Sequence, residues 1–240
     1  MKTIPSGFFI TGTDTGVGKT VIAGAIAAYM RSKGVSVGVM KPAETGCRER
    51  SGELFPKDAA FLKKASGSDD MLGAICPYRF AEPLAPAIAA KLAGKDIDHR
   101  LILKIYRAIA RGCDTVIVEG AGGLMVPLTG KYLYLDLAAE MGLPVVIVGR
   151  AGLGTINHTL LTLHAARERN VDIYGIILNQ TTPRPAGLAE KTNPGAIREL
   201  AGTDRVFTVS HTPKAKSSME ALSAISAELK RQGFFGLTKK

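Results

Sequence analysis

The sequence predicts an α/β fold in which helices cover both faces of a doubly wound, mostly parallel β-sheet. Apolar segments resembling strands alternate with amphipathic helical segments along the 240 residues. The strand-like segments are short, continuous and rich in Val and Ile, as expected for parallel strands that are buried on both faces. Regular alternation of strands and helices favours right-handed crossovers, which place helices on each side of one sheet.

The individual elements follow from the same patterns. Strands are expected at residues 8–11, 35–41, 115–119, 144–149 and 173–179, with a sixth at 205–209. Helices are expected near residues 19–33, 57–65, 98–111, 134–141, 155–169 and 217–231. The polar residues 46–56 predict a mobile loop, and residues 181–194, with three prolines, separate the fifth strand from a weaker final section. Nothing in the composition marks a boundary, so we predict a single domain over residues 1–240.

The chain is basic, with 31 Lys and Arg against 21 Asp and Glu and a formal net charge of +10. Such a charge raises the possibility of a nucleic-acid partner. However, the basic residues are scattered, Trp is absent, and no aromatic residues interleave with basic ones to form a stacking platform for bases. We therefore favour a solvated basic surface that attracts anionic metabolites over nucleic-acid binding.

The cysteines and the hydropathy pattern indicate the cellular compartment in which we expect the protein. Three cysteines lie far apart with no C-x-x-C pair, which argues against a disulfide framework or a zinc site and suits a reducing cytosol. No apolar run approaches the roughly 18 residues of a membrane span. The first ten residues run directly into a glycine-rich motif that signal cleavage would remove. We expect a cytoplasmic protein without a membrane partner.

A glycine-rich motif, GTDTGVGKT at residues 12–20, lies between the first predicted strand and the first predicted helix. Glycines allow backbone N–H groups to converge on phosphate oxygens, and the helix adds its positive N-terminal end. Lys19 can reach the β- and γ-phosphates, and the Thr20 hydroxyl can ligate Mg²⁺. Five residues separate Gly12 from Gly18, one more than the common spacing, but the strand and helix context supports a P-loop that binds Mg-ATP.

Two other strand ends supply charged residues. The apolar run in TVIVEGAGG, residues 115–123, ends at Glu119, whose carboxylate can hold Mg²⁺ directly or through water, or alternatively cap a loop. Lys41 follows the second strand and can steady a transferring phosphoryl group, or alternatively be an ordinary surface lysine. Ligands collect at the carboxyl ends of parallel strands, so both residues are candidates for one site.

Three further features are weaker candidates for a functional site. Asp58 starts a helical segment, and its type and position favour an N-cap. Asn179 ends a strand, where its amide suits either a turn or the recognition of a base. Residues 152–157 open a helix and form a second candidate anion site.

Taken in order, these motifs resemble the dethiobiotin synthetase family of P-loop nucleoside triphosphatases. The matching segments cover roughly residues 8 to 180, and the ordered set is more specific than the P-loop alone. They are GTDTGVGKT at 12–20, KPAETG at 41–46, Asp58, YRFAEPLAPAIAA at 78–90, VEGAGGLMVPL at 118–128, LGTINHT at 153–159 and Asn179.

The resemblance implies an ATP-dependent ligase of biotin biosynthesis. One amine of 7,8-diaminononanoate forms a carbamate with CO₂, and ATP phosphorylates this carbamate to a carbamic-phosphoric anhydride. The second amine then closes the urea ring of dethiobiotin, and ADP and phosphate leave. The resemblance also implies Mg²⁺ as a cofactor and a homodimer that binds the substrate at the subunit interface.

The resemblance assigns roles to individual residues as well. Lys19 and Lys41 are the implied catalytic residues, and the implied Mg²⁺ ligands are Thr20, Asp58 and Glu119. The implied substrate contacts are Thr45, Leu153, Gly154, Thr155 and Asn157. The implied ATP contacts are Gly16, Val17, Gly18, Lys19, Thr20, Val21, Asp58, Glu119, Gly120, Ala121, Gly122, Asn179 and Gln180.

Other enzyme classes share parts of this pattern. A regulatory or partitioning ATPase of the deviant-loop group carries an additional lysine five residues before the P-loop lysine, where this sequence has Asp14. An amide ligase of cobalamin synthesis shares the loop and a Glu-Gly motif, but usually carries an added glutaminase domain for which 240 residues leave no room. A phosphotransacetylase-type accessory domain is a third alternative.

Overall fold

A six-stranded parallel sheet forms the centre of the computed structural model, which describes residues 7–212 and 219–236. In chain order the strands are β1 (Gly7–Gly12), β2 (Val37–Met40), β3 (Ala43–Glu44), β4 (Arg48–Arg50), β5 (Glu53–Phe55), β6 (Tyr78–Arg79), β7 (Thr115–Glu119), β8 (Pro127–Thr129), β9 (Tyr132–Leu133), β10 (Val145–Arg150), β11 (Ile173–Asn179) and β12 (Val206–Val209). The helices are α1 (Lys19–Ser32), α2 (Lys57–Ser66), α3 (Leu72–Ile75), α4 (Pro86–Leu92), α5 (His99–Arg111), α6 (Tyr134–Met141), α7 (Thr155–Glu168), α8 (Leu188–Ala201) and α9 (Met219–Arg231).

The strand order across the sheet is β12-β11-β10-β1-β7-β2, and every neighbouring pair is parallel. This arrangement confirms the predicted α/β class. The chain passes from β1 to β2 on one side of the sheet and later adds β10, β11 and β12 on the other. The crevice beyond the carboxyl end of β1 therefore lies where the order reverses, which is the usual ligand position in such sheets.

Helices bury both faces of the sheet. Successive residues of a strand point to opposite sides, so each buried strand contributes side chains to two cores. Phe8 and Ile10 of β1 belong to one core, together with apolar residues of α1, α2 and α9. Phe9 of the same strand belongs to the other core, together with apolar residues of α5, α6, α7 and α8. Burial on both faces explains why the strands read as unbroken apolar runs.

Several elements differ from the sequence-based expectation. Within residues 46–56, expected as a loop, β4 and β5 form an antiparallel hairpin. Its turn residues Ser51 and Gly52 have φ angles of 54° and 82°, as a tight hairpin turn with two positive φ values requires. Helix α8 begins inside the expected linker and contains Pro194, so proline alone was a misleading sign of a helix break.

Shorter elements were also absent from the sequence-based prediction. The two-stranded ladders β3–β6 and β8–β9 and the short helices α3 and α4 fill segments left unassigned there. The helix expected from residue 217 is described from Met219, and residues 217 and 218 lie outside the described residues. No helix within 7–212 or 219–236 combines the length and hydrophobicity that a membrane crossing requires.

Candidate functional site

A cleft of about 380 Å³ lies at the carboxyl ends of β1, β2 and β7. The described part of the chain buries four charged side chains, and all of them line this cleft: Lys19, Lys41, Glu44 and Glu119. Two larger surface clefts, of about 620 and 610 Å³, are lined by no buried charged residue. Buried charges are costly unless they have partners or a function, so the smaller cleft is the candidate site.

The loop of residues 12–20 forms one wall of the cleft. Gly16 and Gly18 have φ angles of 72° and 94°, which favour glycine because other residues rarely adopt them. Gly18 is the N-cap of α1 and supplies no side-chain cap, so the first N–H groups of the helix remain available to an anion. A Cβ on Gly12 would lie 2.9 Å from Lys19 Nζ, so glycine at this position leaves room for the lysine.

One carboxylate oxygen of Glu119 contacts both Lys41 and Thr20. Lys41 Nζ lies 2.7 Å from Glu119 Oε1, and the Thr20 hydroxyl donates to the same oxygen at 2.8 Å. Lys41 Nζ is also 3.5 Å from Asp58 Oδ2. Lys41 directly follows β2 and Glu119 ends β7, and these strands are neighbours in the sheet. Sheet topology thus brings together residues that are 78 positions apart in sequence.

The two lysines of the cleft have different electrostatic surroundings. Burial by itself lowers the pKa of Lys41, but Glu119 and Asp58 outweigh it and raise this pKa above its ordinary value. Burial lowers the pKa of Lys19, and the Lys41 cation lowers it further, while Glu119 opposes the shift. Lys19 Nζ donates to the Asp14 carbonyl oxygen at 3.2 Å. The neighbouring carboxylates therefore stabilise the positive charge of Lys41. The positive charge of Lys19 is less well balanced by nearby negative charge.

Oxygen atoms suited to a hard divalent cation line the same cleft. Within the described residues, Glu119 Oε2 is buried and has no hydrogen-bond partner, while Thr20 and Asp58 offer further oxygens beside it. No group of three or more His, Cys, Asp or Glu side chains in that part of the chain forms a complete metal site. One or two carboxylates are what Mg²⁺ uses when substrate phosphates and water complete its coordination, so these residues fit Mg²⁺ held together with a nucleotide.

Asp58 is not the N-cap of its helix, contrary to the interpretation favoured from sequence. Helix α2 begins at Lys57, Pro56 occupies the N-cap position, and no side chain of the helix start caps it. Instead Glu44 accepts hydrogen bonds from the backbone N–H groups of Asp58 at 2.9 Å and Ala59 at 3.0 Å. Sequence reasoning missed Glu44. The sequence does contain a signal for it. The predicted helix starts at Lys57, directly after Pro56, and a proline at the N-cap offers no side-chain acceptor, so the acceptor must come from another segment.

Some of the remaining residues expected to bind the nucleotide line the cleft, and others lie outside it. Asn179 donates through Nδ2 to the Val17 carbonyl oxygen at 2.9 Å, which ties the end of β11 to the glycine loop. Gln180 donates to the Arg184 carbonyl oxygen and lies outside the cleft lining. Gly120 is buried behind the cleft, near Phe9. The cleft lining also includes Gly16, Val21, Thr45, Ala121 and Gly122.

Comparison with known proteins identifies the family. Residues 6–219 match a family model described as an AAA domain. A protein of Anaeromyxobacter sp. (strain K) named ATP-dependent dethiobiotin synthetase BioD is 43% identical over 91% of this chain and 96% of its own length. The chain belongs to the dethiobiotin synthetase family. Proteins of the same name from Bacillus velezensis (41% identical, 97% of both chains) and Anaeromyxobacter dehalogenans (51% identical, 74% of this chain and 78% of its own) are also similar.

The segment expected to contact substrate in a dethiobiotin synthetase lies apart from the cleft. Leu153 is 94% exposed, and Gly154 and Asn157 are exposed beside it at the start of α7. Thr155 is buried, and its hydroxyl lies 3.4 Å from that of Thr159. None of these residues belongs to the cleft lining, so the structure does not place them together with Lys19 and Lys41.

Proposed function

We propose that this chain converts 7,8-diaminononanoate, CO₂ and ATP into dethiobiotin, ADP and phosphate, acting as one P-loop domain. The observation that carries the proposal is the clustering of all four described buried charges beside the glycine loop. A phosphoryl transfer to a carbamate develops negative charge on several oxygens, and fixed positive charge at those oxygens lowers the barrier. The names of the relatives, ATP-dependent dethiobiotin synthetase, support this reaction over the alternatives.

Lys19 and Lys41 supply that positive charge. Lys19, at the start of α1, contacts the β- and γ-phosphates, and Lys41 faces the carbamate oxygens. Because its carboxylate neighbours raise the pKa of Lys41, this residue stays protonated when the substrate amines arrive. A fixed cation disfavours protonation of a nearby amine, whose free pKa is about 10, and so leaves the amine nucleophilic for attack.

Thr20, Asp58 and Glu119 would hold Mg²⁺ in this cleft. A bound Mg²⁺ neutralises phosphate charge and orients the transferred group. The buried, unpartnered Oε2 atom of Glu119 supports this assignment. The position of Asp58 supports it as well, because Lys41 Nζ lies near the carboxylates of both Asp58 and Glu119. The ATP phosphates lie along the glycine loop, and Asn179 and Gln180 lie towards the base.

The chain acts as a homodimer in the cytoplasm, with substrate at the subunit interface. Thr45 contacts the substrate from the cleft, and the start of α7 receives the substrate carboxylate from the other subunit through Leu153, Gly154, Thr155 and Asn157. Leu153, in the loop just before α7, is 94% exposed and Leu161, within α7, is 60% exposed, which supports an apolar contact surface there.

A direct assay tests the function. The purified chain is mixed with Mg-ATP, bicarbonate and 7,8-diaminononanoate, and dethiobiotin is measured by mass together with ADP release. We expect ADP release to depend on the diamine and to match dethiobiotin formation. ATP turnover that ignores the diamine, or that DNA or lipid stimulates, would favour a regulatory ATPase instead.

Two variants refine the assay. Lys41→Gln should lower turnover far more than ATP affinity, because the lysine faces the carbamate; equal losses in turnover and ATP affinity would exclude that role. Leu161→Asp should convert the dimer to a monomer by light scattering and abolish ring closure while preserving ATP binding. A fully active Leu161→Asp monomer would contradict a shared site.

A further inference from the structure

The first turn of helix α2 is held by a side chain from outside the helix. Pro56 at the N-cap offers no side-chain hydrogen bond, and the N–H groups of Asp58 and Ala59 have no acceptor within the helix. Glu44 supplies both acceptors, one from each carboxylate oxygen, at 2.9 and 3.0 Å. This two-point contact fixes the direction of the turn as well as satisfying its donors.

Glu44 is itself rigidly placed. It is 3% exposed and lies in β3, which pairs with β6 through Ala43 opposite Tyr78 and Glu44 opposite Arg79. The backbone N–H of Phe80 donates to the Glu44 carbonyl oxygen at 2.9 Å. Lys41, three positions earlier, is anchored by its own N–H to the Ile75 carbonyl oxygen at 2.8 Å. The short segment 41–44 thus presents Lys41 and Glu44 from one fixed backbone.

Asp58 depends on this support because its side chain is only partly buried, with 32% of it exposed. Burial does not hold its carboxylate, whose nearest charged partner is Lys41 Nζ at 3.5 Å. The position of the carboxylate is therefore set chiefly by the backbone of Asp58, and that backbone is held by Glu44. A shift of the first turn of α2 would move Asp58 relative to Glu119 and Thr20.

The arrangement is electrostatically expensive, which argues against a merely structural cap. A buried carboxylate beside a second carboxylate is disfavoured by desolvation and by like charge. A Ser or Asp at position 56 would cap the helix from its own N-cap position, without a carboxylate supplied by another segment. We propose that Glu44 is a positioning residue: it fixes the first turn of α2 so that Asp58 meets Lys41 and Glu119 as a metal ligand. This inference rests on the proposed Mg²⁺ site.

Metal affinity in the presence of nucleotide tests the proposal. Free Mn²⁺ is titrated by electron paramagnetic resonance in the presence of saturating ADP, and ADP affinity is measured separately in EDTA by calorimetry. Residues that orient metal ligands typically contribute about 10- to 100-fold to metal affinity. We expect Glu44→Ala and Glu44→Gln to weaken Mn²⁺ binding by at least about tenfold, with metal-free ADP affinity within about twofold of wild type.

A control separates positioning from helix capping in general. Asp98 caps α5 by accepting the Arg100 N–H at 2.8 Å, away from the cleft. Asp98→Ala and Glu44→Ala should each lower Tm by about 2–4 °C through the lost cap. Only the Glu44 variant should change Mn²⁺ affinity. Equal Mn²⁺ affinity in the two variants would overturn the proposal.

Two more variants distinguish the possible failures. Glu44→Asp keeps the charge but is too short for both hydrogen bonds, so it should weaken Mn²⁺ as Glu44→Gln does. Wild-type affinity in Glu44→Asp would mean that charge alone matters, and would overturn positioning. Asp58→Asn tests the metal site itself: if it weakens Mn²⁺ and Glu44→Ala does not, only the present inference fails. If neither changes Mn²⁺ affinity, the proposed Mg²⁺ site fails as well.

Discussion

Replacing Lys41 with Met in the nucleotide-free protein removes one partner of the buried ion pair with Glu119. The substitution leaves Glu119, which is 0% exposed, without the ammonium that lies 2.7 Å from its Oε1 atom. Breaking a buried pair from one side costs about 3–5 kcal/mol because the remaining charge is desolvated and uncompensated. At about 2–4 °C for each kcal/mol in a protein of this size, Tm should fall by roughly 6–20 °C.

A double-mutant cycle then separates the pair from the loss of packing. Glu119→Gln keeps an acceptor for the Thr20 hydroxyl and removes the charge that Lys41 compensates. The double variant Lys41→Met, Glu119→Gln should therefore be more stable than the sum of the single losses, with a coupling of about 2–3 kcal/mol, near the top of the range for contacting residues. Urea denaturation in EDTA at pH 7.5 measures each corner of the cycle.

The exposed residue Lys104 provides the control, since Lys104→Met should change stability by less than about 0.5 kcal/mol. Additivity of the two single losses within about 0.5 kcal/mol would refute the reasoning, because independent sites behave in that way. Such a result would mean that Lys41 and Glu119 each interact chiefly with other groups or with water.

Three other predictions follow from single contacts. Gly18→Ala should weaken nucleotide binding, measured by calorimetry, because the φ of Gly18 is 94° and a Cβ would strike the Asn179 amide. Gly142→Ala is the control: its φ is 63° and a Cβ would meet open space, so this variant should lose about 1–2 kcal/mol of stability and keep its nucleotide affinity. Equal nucleotide affinity in the two variants would contradict this. Burial raises the pKa of the Cys47 thiol from 9.0 to about 11, so its contribution to stability is complete below pH 9.0 and is lost as pH rises through 11. At pH 8.5 iodoacetamide should label Cys47 quickly in urea and slowly in the native protein, as read by mass spectrometry. Asn193→Ala removes two donors to the carbonyl oxygens before α7, and should cost about 1–3 kcal/mol and raise KM for the diamine but not for ATP.

The parts of the structure that the sequence predicts are those determined by local pattern. Continuous Val and Ile runs mark buried strands, and the apolar run before Glu119 places its carboxylate at the sheet edge because parallel strands all end on one side. The position of Lys41 follows from the same rule. These two residues could therefore be assigned to one cleft from the sequence, together with the glycine loop.

The parts that the sequence did not predict depend on contacts between distant segments. Nothing local shows that Glu44 caps a helix 14 positions later, since that bond requires the fold to place β3 beside α2. Helix α8 forms despite Pro194 because the Glu190 carboxylate accepts from the Gly187 N–H and the buried Asn193 anchors the helix to the loop before α7. The hairpin of β4 and β5 turns on Ser51 and Gly52, a weaker turn signal than Asn-Gly.

The balance of charge in the cleft couples the binding of a metal ion to the binding of a nucleotide. The two buried lysines are matched by the buried carboxylates of Glu44 and Glu119, so the interior is close to electroneutral before any ligand enters. A free divalent cation or a free nucleotide would each disturb that balance alone, whereas together they largely offset one another. Metal and nucleotide affinities should accordingly be thermodynamically linked, each being higher when the other is bound.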